Sequence, residues 1–236
     1  MTSISGQIIN PVTLRKEEKH TIASYFARAH LDNAVRLGLC REKLISAANL
    51  SSSLLQENEA RILPQQLSDL FQAIWAEHDD EYFGLGSSPA KVGVFTLICE
   101  RMITCKTLGQ ALHEAQRCYH LISDSIAFNL EQHQDRVHFH IQLTGAEKDN
   151  DHMLTELLLM IWHRFPSWLV GDTIPLFEVH FPYPRPAHAD EYRLLYPAPC
   201  RFQQPTASLS WPSAVLQWPI RRSKTELRHY LKKVPL

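Results

Sequence analysis

A chain of 236 residues with 44% hydrophobic and 21% charged residues has ample apolar content for a sizeable core, which excludes a disordered chain. Lys plus Arg total 24 against 25 for Asp plus Glu, a net charge of −1, and this argues against a free-standing nucleic-acid binder, which carries a basic excess. Eight Gly and 14 Pro exclude collagen-like or low-complexity sequence, and the length fits one large domain or two small ones.

In chain order, the first 125 residues read as helical. A first helix is expected over residues 18–37, stopped by Gly38. Residues 41–61 hold a weak helix–turn–helix outline: a short helix over 42–48, a turn over 49–51 and a second helix from Ser52. That second helix would set Glu57 and Glu59 against phosphate, where DNA binders place Lys or Arg, so an ordinary helical hairpin is the expectation. Leu67, Leu70, Phe71, Ile74 and Trp75 follow i, i+3, i+4 spacing and predict a helix over 64–78 with Pro64 in its first turn. The acidic run Glu77, Asp79, Asp80 and Glu81 ends it, and Gly84 and Gly86 mark a loop. A further helix is expected over 93–103. The clearest helix follows. Thr107 and Gln110 form a capping-box signature, and Leu108, Ala111, Leu112, Ala115, Cys118, Tyr119 and Ile122 make one stripe.

The period then changes to two. Ile126, Phe128 and Leu130 alternate with polar residues, as do Val137, Phe139, Ile141 and Leu143 within 136–144. Residues 132–135 would close these two strands into a hairpin. A long helix over 154–169 carries Leu154, Leu157, Leu158, Ile161, Trp162, Phe165, Trp168 and Leu169 on one broad face. Pro166 lacks an amide donor and crowds the Trp162 carbonyl, so a kink or break is expected there. A strand over 174–181, a short helix over 189–195 and short strands over 200–203 and 208–211 follow. Ten of the 14 prolines lie between Pro166 and Pro219, which predicts short elements and stiff turns. The order predicts an α+β fold: a helical N-terminal half packed with a small mixed β-sheet and covering helices. No Gly/Ser linker divides it, so one compact body is expected. Residues 221–233 differ, with six basic residues against Glu226 alone, and Ser223 with Glu226 forms another capping box.

No apolar run approaches the roughly 20 residues that a membrane span requires, and residues 1–11 do not read as a secretory signal. The five cysteines, Cys40, Cys99, Cys105, Cys118 and Cys200, form no CxxC pair and read as reduced thiols in a cytoplasm.

Chemistry-bearing patterns are sparse. His138 and His140 share one strand face, and Glu178 and His180 repeat the arrangement, so three imidazoles and a carboxylate would converge if those strands pair. The alternative is a solvated polar strand face. There is no GxSxG elbow, no GxGxxG and no GxxxxGK[ST]. No cofactor is implied, and a non-enzymatic protein is the expectation.

An ordered series of short motifs says more. It runs Ala47-Ala48-Asn49-Leu50, Leu54-Leu55, Ala60-Arg61-Ile62, Asp80 with Phe83-Gly84-Leu85, and Thr107-Leu108-Gly109-Gln110-Ala111-Leu112. It continues with His163-Arg164-Phe165, Ser167-Trp168-Leu169, Pro175-Leu176, Tyr183-Pro184-Arg185-Pro186, His188, Glu191-Tyr192 and Arg201-Phe202. This order and spacing resembles the N-terminal effector-sensing, arabinose-binding-like domain of AraC/XylS-type transcriptional regulators, and more closely the subgroup typified by the ornithine-utilisation regulator. The resemblance implies a bacterial, cytoplasmic domain that senses a small-molecule effector and forms a homodimer. It also implies a C-terminal DNA-binding domain with two helix–turn–helix units, absent from these 236 residues. DNA would then be met only through that domain, with no membrane partner. Residues 1–220 are thus expected to be the sensing and dimerisation domain, helical over 18–122 and α+β over 126–220. Residues 221–236 would be a basic linker helix, and the chain the first part of a longer regulator.

Amphipathic character and position select Tyr119, Trp162, His163, Trp168 and Tyr192 as candidate ligand-binding residues, in a pocket between the sheet and the 154–169 helix. Two alternatives stay open: a metal-dependent enzyme on His138, His140 and His180, and a dimerisation domain without a ligand.

Overall fold

A computed structural model describes residues 8–11, 21–57 and 59–232. The helical half holds α1 (Ser24–Arg36), α2 (Arg41–Ala47), α3 (Pro64–His78), α4 (Val94–Met102) and α5 (Leu108–Ile122). Two short strands, β2 (Ile22–Ala23) and β3 (Arg61–Ile62), pair antiparallel at its edge, and β1 is Ile8–Ile9. The second half holds β4 (Ile126–His133), β5 (Arg136–Leu143), α6 (Met153–Val170), β6 (Glu178–His180), α7 (Tyr192–Leu195), β7 (Cys200–Arg201), β8 (Ala207–Pro212) and α8 (Lys224–Leu231). Among the described residues one mixed six-stranded sheet has the order β1-β7-β6-β8-β5-β4, in which only β6 and β7 run parallel. The architecture is the expected α+β one.

The alternation read from the sequence becomes a register. In the β4–β5 hairpin Phe128 faces Ile141 and Leu130 faces Phe139, with Gln134 left-handed (φ 54°) in the tight turn. On one face of β5 and β8 the residues Val137, Phe139, Ile141, Leu209 and Trp211 are buried against α6. Trp162 of α6 is fully buried there, its ring 4.7 Å from Phe128 and 5.3 Å from Phe139. Each such side chain contributes about 1.5–3 kcal/mol on burial.

Several expectations are corrected. The first helix begins at Ser24, because residues 22–23 are taken by the β2–β3 ladder and the Ser24 amide donates to the Ala60 carbonyl at 2.8 Å. Its expected first residues, 18–20, lie outside the described residues. After α2 comes a left-handed Asn49 (φ 49°) and a single 3₁₀ turn, Leu54–Gln56, then β3, so residues 41–61 form neither a helix–turn–helix nor a helical hairpin. Helix α6 is not broken at Pro166. Ser167 Oγ donates to the His163 carbonyl one position on, and α6 ends at Gly171 (φ 72°), whose amide donates to the Trp168 carbonyl. The strand expected over 174–181 shrinks to Glu178–His180, with Phe177 lying under the Arg136 guanidinium. Among the described residues no helix is long and apolar enough to cross a membrane.

Candidate effector cavity

The acidic run after α3 builds a roof. Asp79 takes a left-handed conformation (φ 50°) and stops the helix. The buried Asp80 carboxylate accepts from the amides of Tyr82 (2.9 Å), Gly84 (2.7 Å) and Ala90 (2.8 Å). Glu81 then accepts from the amides of Gly93 and Phe95 at 2.8 and 2.9 Å, capping the start of α4. Charges that read as a helix stop in the sequence thus pin residues 79–95 over α6.

Beneath this roof lies a cavity of about 390 Å³, walled by α3 (Gln72, Trp75), residues 81–96, Tyr119 of α5, α6 and the end of α8 (Leu231, Lys232). Its walls are mainly apolar and aromatic, with Gln72, Glu81, Thr96 and Lys232 as the polar groups, the composition of a small-molecule site. Among the described residues Trp75 Nε1 and Trp162 Nε1 are buried without a hydrogen-bond partner, and the Tyr82 hydroxyl has Ser123 beside it but no hydrogen bond of ordinary geometry. Burial pushes the Tyr82 phenol up to about 12 and holds Tyr119 well above its ordinary value, so both stay protonated donors.

Of the five candidate residues, Tyr119 and Trp162 meet in this cavity, edge to face with ring centroids 5.9 Å apart. The cavity lies on the helical flank of α6, whereas the space between α6 and the sheet is filled by Phe128, Phe139, Trp162 and Trp211. His163 is buried and bonds the Ile174 carbonyl through Nε2 at 2.9 Å. Trp168 stacks on Tyr230 of α8 at 4.4 Å. Tyr192 donates to Glu156, a buried carboxylate that sequence reasoning missed. Glu156 also bonds His188 Nε2 at 2.7 Å, and Tyr192 bonds Tyr183 at 3.0 Å. The available signal was Glu156 itself, the one charge among residues 153–162.

A second, narrower slot of about 40 Å³ lies between α1, α3 and another stripe of α6, lined by Phe26, His30, Phe71, Glu156, Met160 and Arg164 among others.

The histidines lie on the opposite face of the sheet. Strand β8 separates them, with His138 opposite Ser210 and Ser210 opposite Glu178, and likewise His140, Ser208 and His180. Two strand spacings put β5 and β6 about 9.6 Å apart. His138 lies 5.9 Å from His140 and 6.4 Å from His180 between ring centroids. Glu178 is engaged by Arg201 at 2.8 Å and His180 at 2.9 Å, and His140 Nδ1 by Thr206 Oγ1. Among the described residues no group of three donors has metal-ligand geometry, so the metal-enzyme alternative finds no support. Burial pushes the Cys200 thiol up to about 12 and raises Cys99 as well, which leaves both unactivated.

Residues 38–220 match the model for the arabinose-binding domain found at the N-terminus of AraC transcription regulators. The chain is 24% identical over 196 residues to the ornithine utilization regulator of Pseudomonas aeruginosa, covering 83% of this chain and 58% of that protein. It also matches the crystal structure of the transcriptional regulator CdpR from Pseudomonas aeruginosa, with 16% identity and a TM-score of 0.45, over 86% of this chain and 59% of that one. This chain therefore spans 58% of the length of the curated relative it matches. With 183 of its 236 residues inside the family model, the chain belongs to the arabinose-binding, sensing domain family of AraC-type transcription regulators.

Proposed function

We propose that this domain binds a small-molecule effector in the cavity beneath residues 79–95 and transmits its presence through α8. One observation carries the reading: Leu231 and Lys232, at the end of α8, form part of the cavity wall. An occupant that prefers one placement of α8 shifts the balance between placements by its differential affinity. The effector suited to these walls is compact, with an apolar or ring-shaped body and one or two polar groups. Tyr119 and Trp162 would touch it. Trp168 would hold α8 through Tyr230, while His163 and Tyr192 fix the α6 scaffold.

In this reading the chain is a non-enzymatic sensor in a bacterial cytoplasm and needs no cofactor. A DNA-binding domain reads the state of α8. A homodimer is part of the proposal, and the exposed Leu97, Leu121 and Ile122 supply apolar surface for it.

The test fills the cavity. Thr96 is a half-buried wall residue, so Thr96→Trp should leave the free protein folded. Small molecules that raise the melting temperature of the wild type by mass action should lose that effect in the variant. Equal stabilisation of both proteins would put the effector elsewhere.

A further inference from the structure

Arg164 stands at the mouth of the narrow slot, exposed to solvent, with no ion pair or hydrogen bond among the described residues. Other arginines nearby are engaged: Arg28 with the Glu57 carbonyl, Arg61 with Glu191, Arg222 with the Trp168 carbonyl. The Tyr196 and Tyr230 phenols are its titratable neighbours, and neither supplies a counter-charge. Glu156, the carboxylate in the slot, is about 12 Å away along α6 by helical rise and is already held by Tyr192 and His188.

A second unsatisfied group lies in the same wall. His30 is 3% exposed, its Nδ1 bonds the Phe26 carbonyl at 2.8 Å, and its Nε2 is buried with no partner among the described residues. Burial lowers its pKa to about 4, so the ring is neutral and Nε2 is a bare acceptor. Between these groups the slot is lined mainly by apolar side chains, Ile22, Phe26, Leu67, Phe71, Leu157 and Met160. The buried, unpaired acceptor is a desolvation cost that the protein leaves uncompensated, and the guanidinium beside the slot is left without an anionic partner.

We propose that this slot is a binding site for a short linear carboxylate with a hydrogen-bond donor at its far end. The carboxylate sits on Arg164, the chain lies between Phe26, Phe71 and Met160, and the terminal hydroxyl or amine reaches His30 Nε2. Short hydroxy acids and amino acids share this chemistry. The slot shares Leu157 with the effector cavity, but neither Arg164 nor Met160 lines that cavity, so the proposal does not rest on the reading above.

Isothermal titration with 6-hydroxyhexanoate as the probe tests this. The wild type should bind it, and 1,6-hexanediol, which lacks the charge, should bind at least about tenfold more weakly. Arg164→Met should weaken the hydroxy acid by about tenfold or more, and Arg164→Lys by less. Met160→Trp should abolish binding by filling the slot. Arg164 is exposed, so its variants are expected to keep the wild-type melting temperature. No binding of 6-hydroxyhexanoate, equal binding of acid and diol, or full binding by Arg164→Met would each overturn the proposal.

Discussion

Glu156 is the residue on which the packing of α6 turns. It is 5% exposed and takes hydrogen bonds from Tyr192 and His188, while His188 stacks on Tyr25 of α1 at 4.0 Å. Glu156→Ala would leave His188 Nε2 without its partner and Tyr192 with Tyr183 alone, so it should lower the unfolding free energy by about 3 kcal/mol, and Glu156→Gln by about half of that. Urea denaturation checks both values. The sequence held this residue in plain sight but not its partners, because His188 and Tyr192 follow it by more than 30 positions. Two other buried groups set a pH dependence. Burial pushes Asp149 up to about 6 and His30 down to about 4, and each is 3% exposed. The folded chain keeps a proton on Asp149 that the unfolded chain releases above about 3.9, so this contribution is lost as pH rises from about 4 to about 6. His30 works oppositely. The unfolded chain takes up a proton below about 6.5 that the folded chain refuses until about 4, so its contribution is lost as pH falls through that window. Each is worth about 3 kcal/mol, and the two offset one another. Asp149→Asn unmasks the histidine. Its stability relative to the wild type should drop by about 3 kcal/mol between roughly pH 6.5 and pH 4. A constant difference across that range would contradict the assignment.

Element α8 is the part that the proposed signal must move. Ser223 and Glu226 form the capping box that the sequence advertises, with Ser223 Oγ accepting from the Glu226 amide at 3.2 Å. Its anchor is Tyr230, 4.4 Å from Trp168 and 5.6 Å from Phe165, with Leu227 buried beside it. Gln72 of α3 donates to the Lys232 carbonyl at 3.4 Å and closes the cavity on that side. Tyr230→Ala should lower the local opening free energy of residues 224–232 by about 2 kcal/mol and barely move global unfolding. Hydrogen exchange reads both quantities, and unchanged protection of α8 would show that Tyr230 is not its anchor. Legibility at this scale followed element length. The hairpin and α3 to α6 repeat their period often enough to be read, whereas β1, β2, β3 and β7 have two residues each and no period at all. The Thr107 cap shows a finer limit. Gln110 Oε1 accepts from the Lys106 amide rather than that of Thr107, and the chain at Thr107 pairs with Pro219.

At the scale of the molecule, the α+β class followed from the switch in period near Ile126, and the family from an ordered motif series spread along the chain. The cavity did not follow from either. Gln72, Thr96, Tyr119, Trp162 and Leu231 are brought together only by tertiary packing, and no local pattern marks them as neighbours. The broad apolar face of α6 suggested a pocket against the sheet; Trp162 packs there on Phe128 and Phe139, and the open space lies where Leu154, Leu157, Leu158, Ile161 and Trp162 of the same face meet α3 and residues 81–96. The central claim is that occupancy of this space is felt at α8. Hydrogen exchange of the chain, with and without a small molecule that raises its melting temperature, tests it most directly. The account predicts added protection in residues 72–75, 92–96 and 154–162, together with a change in residues 224–232. Protection confined to the outer face of the sheet, with α8 unaltered, would contradict it.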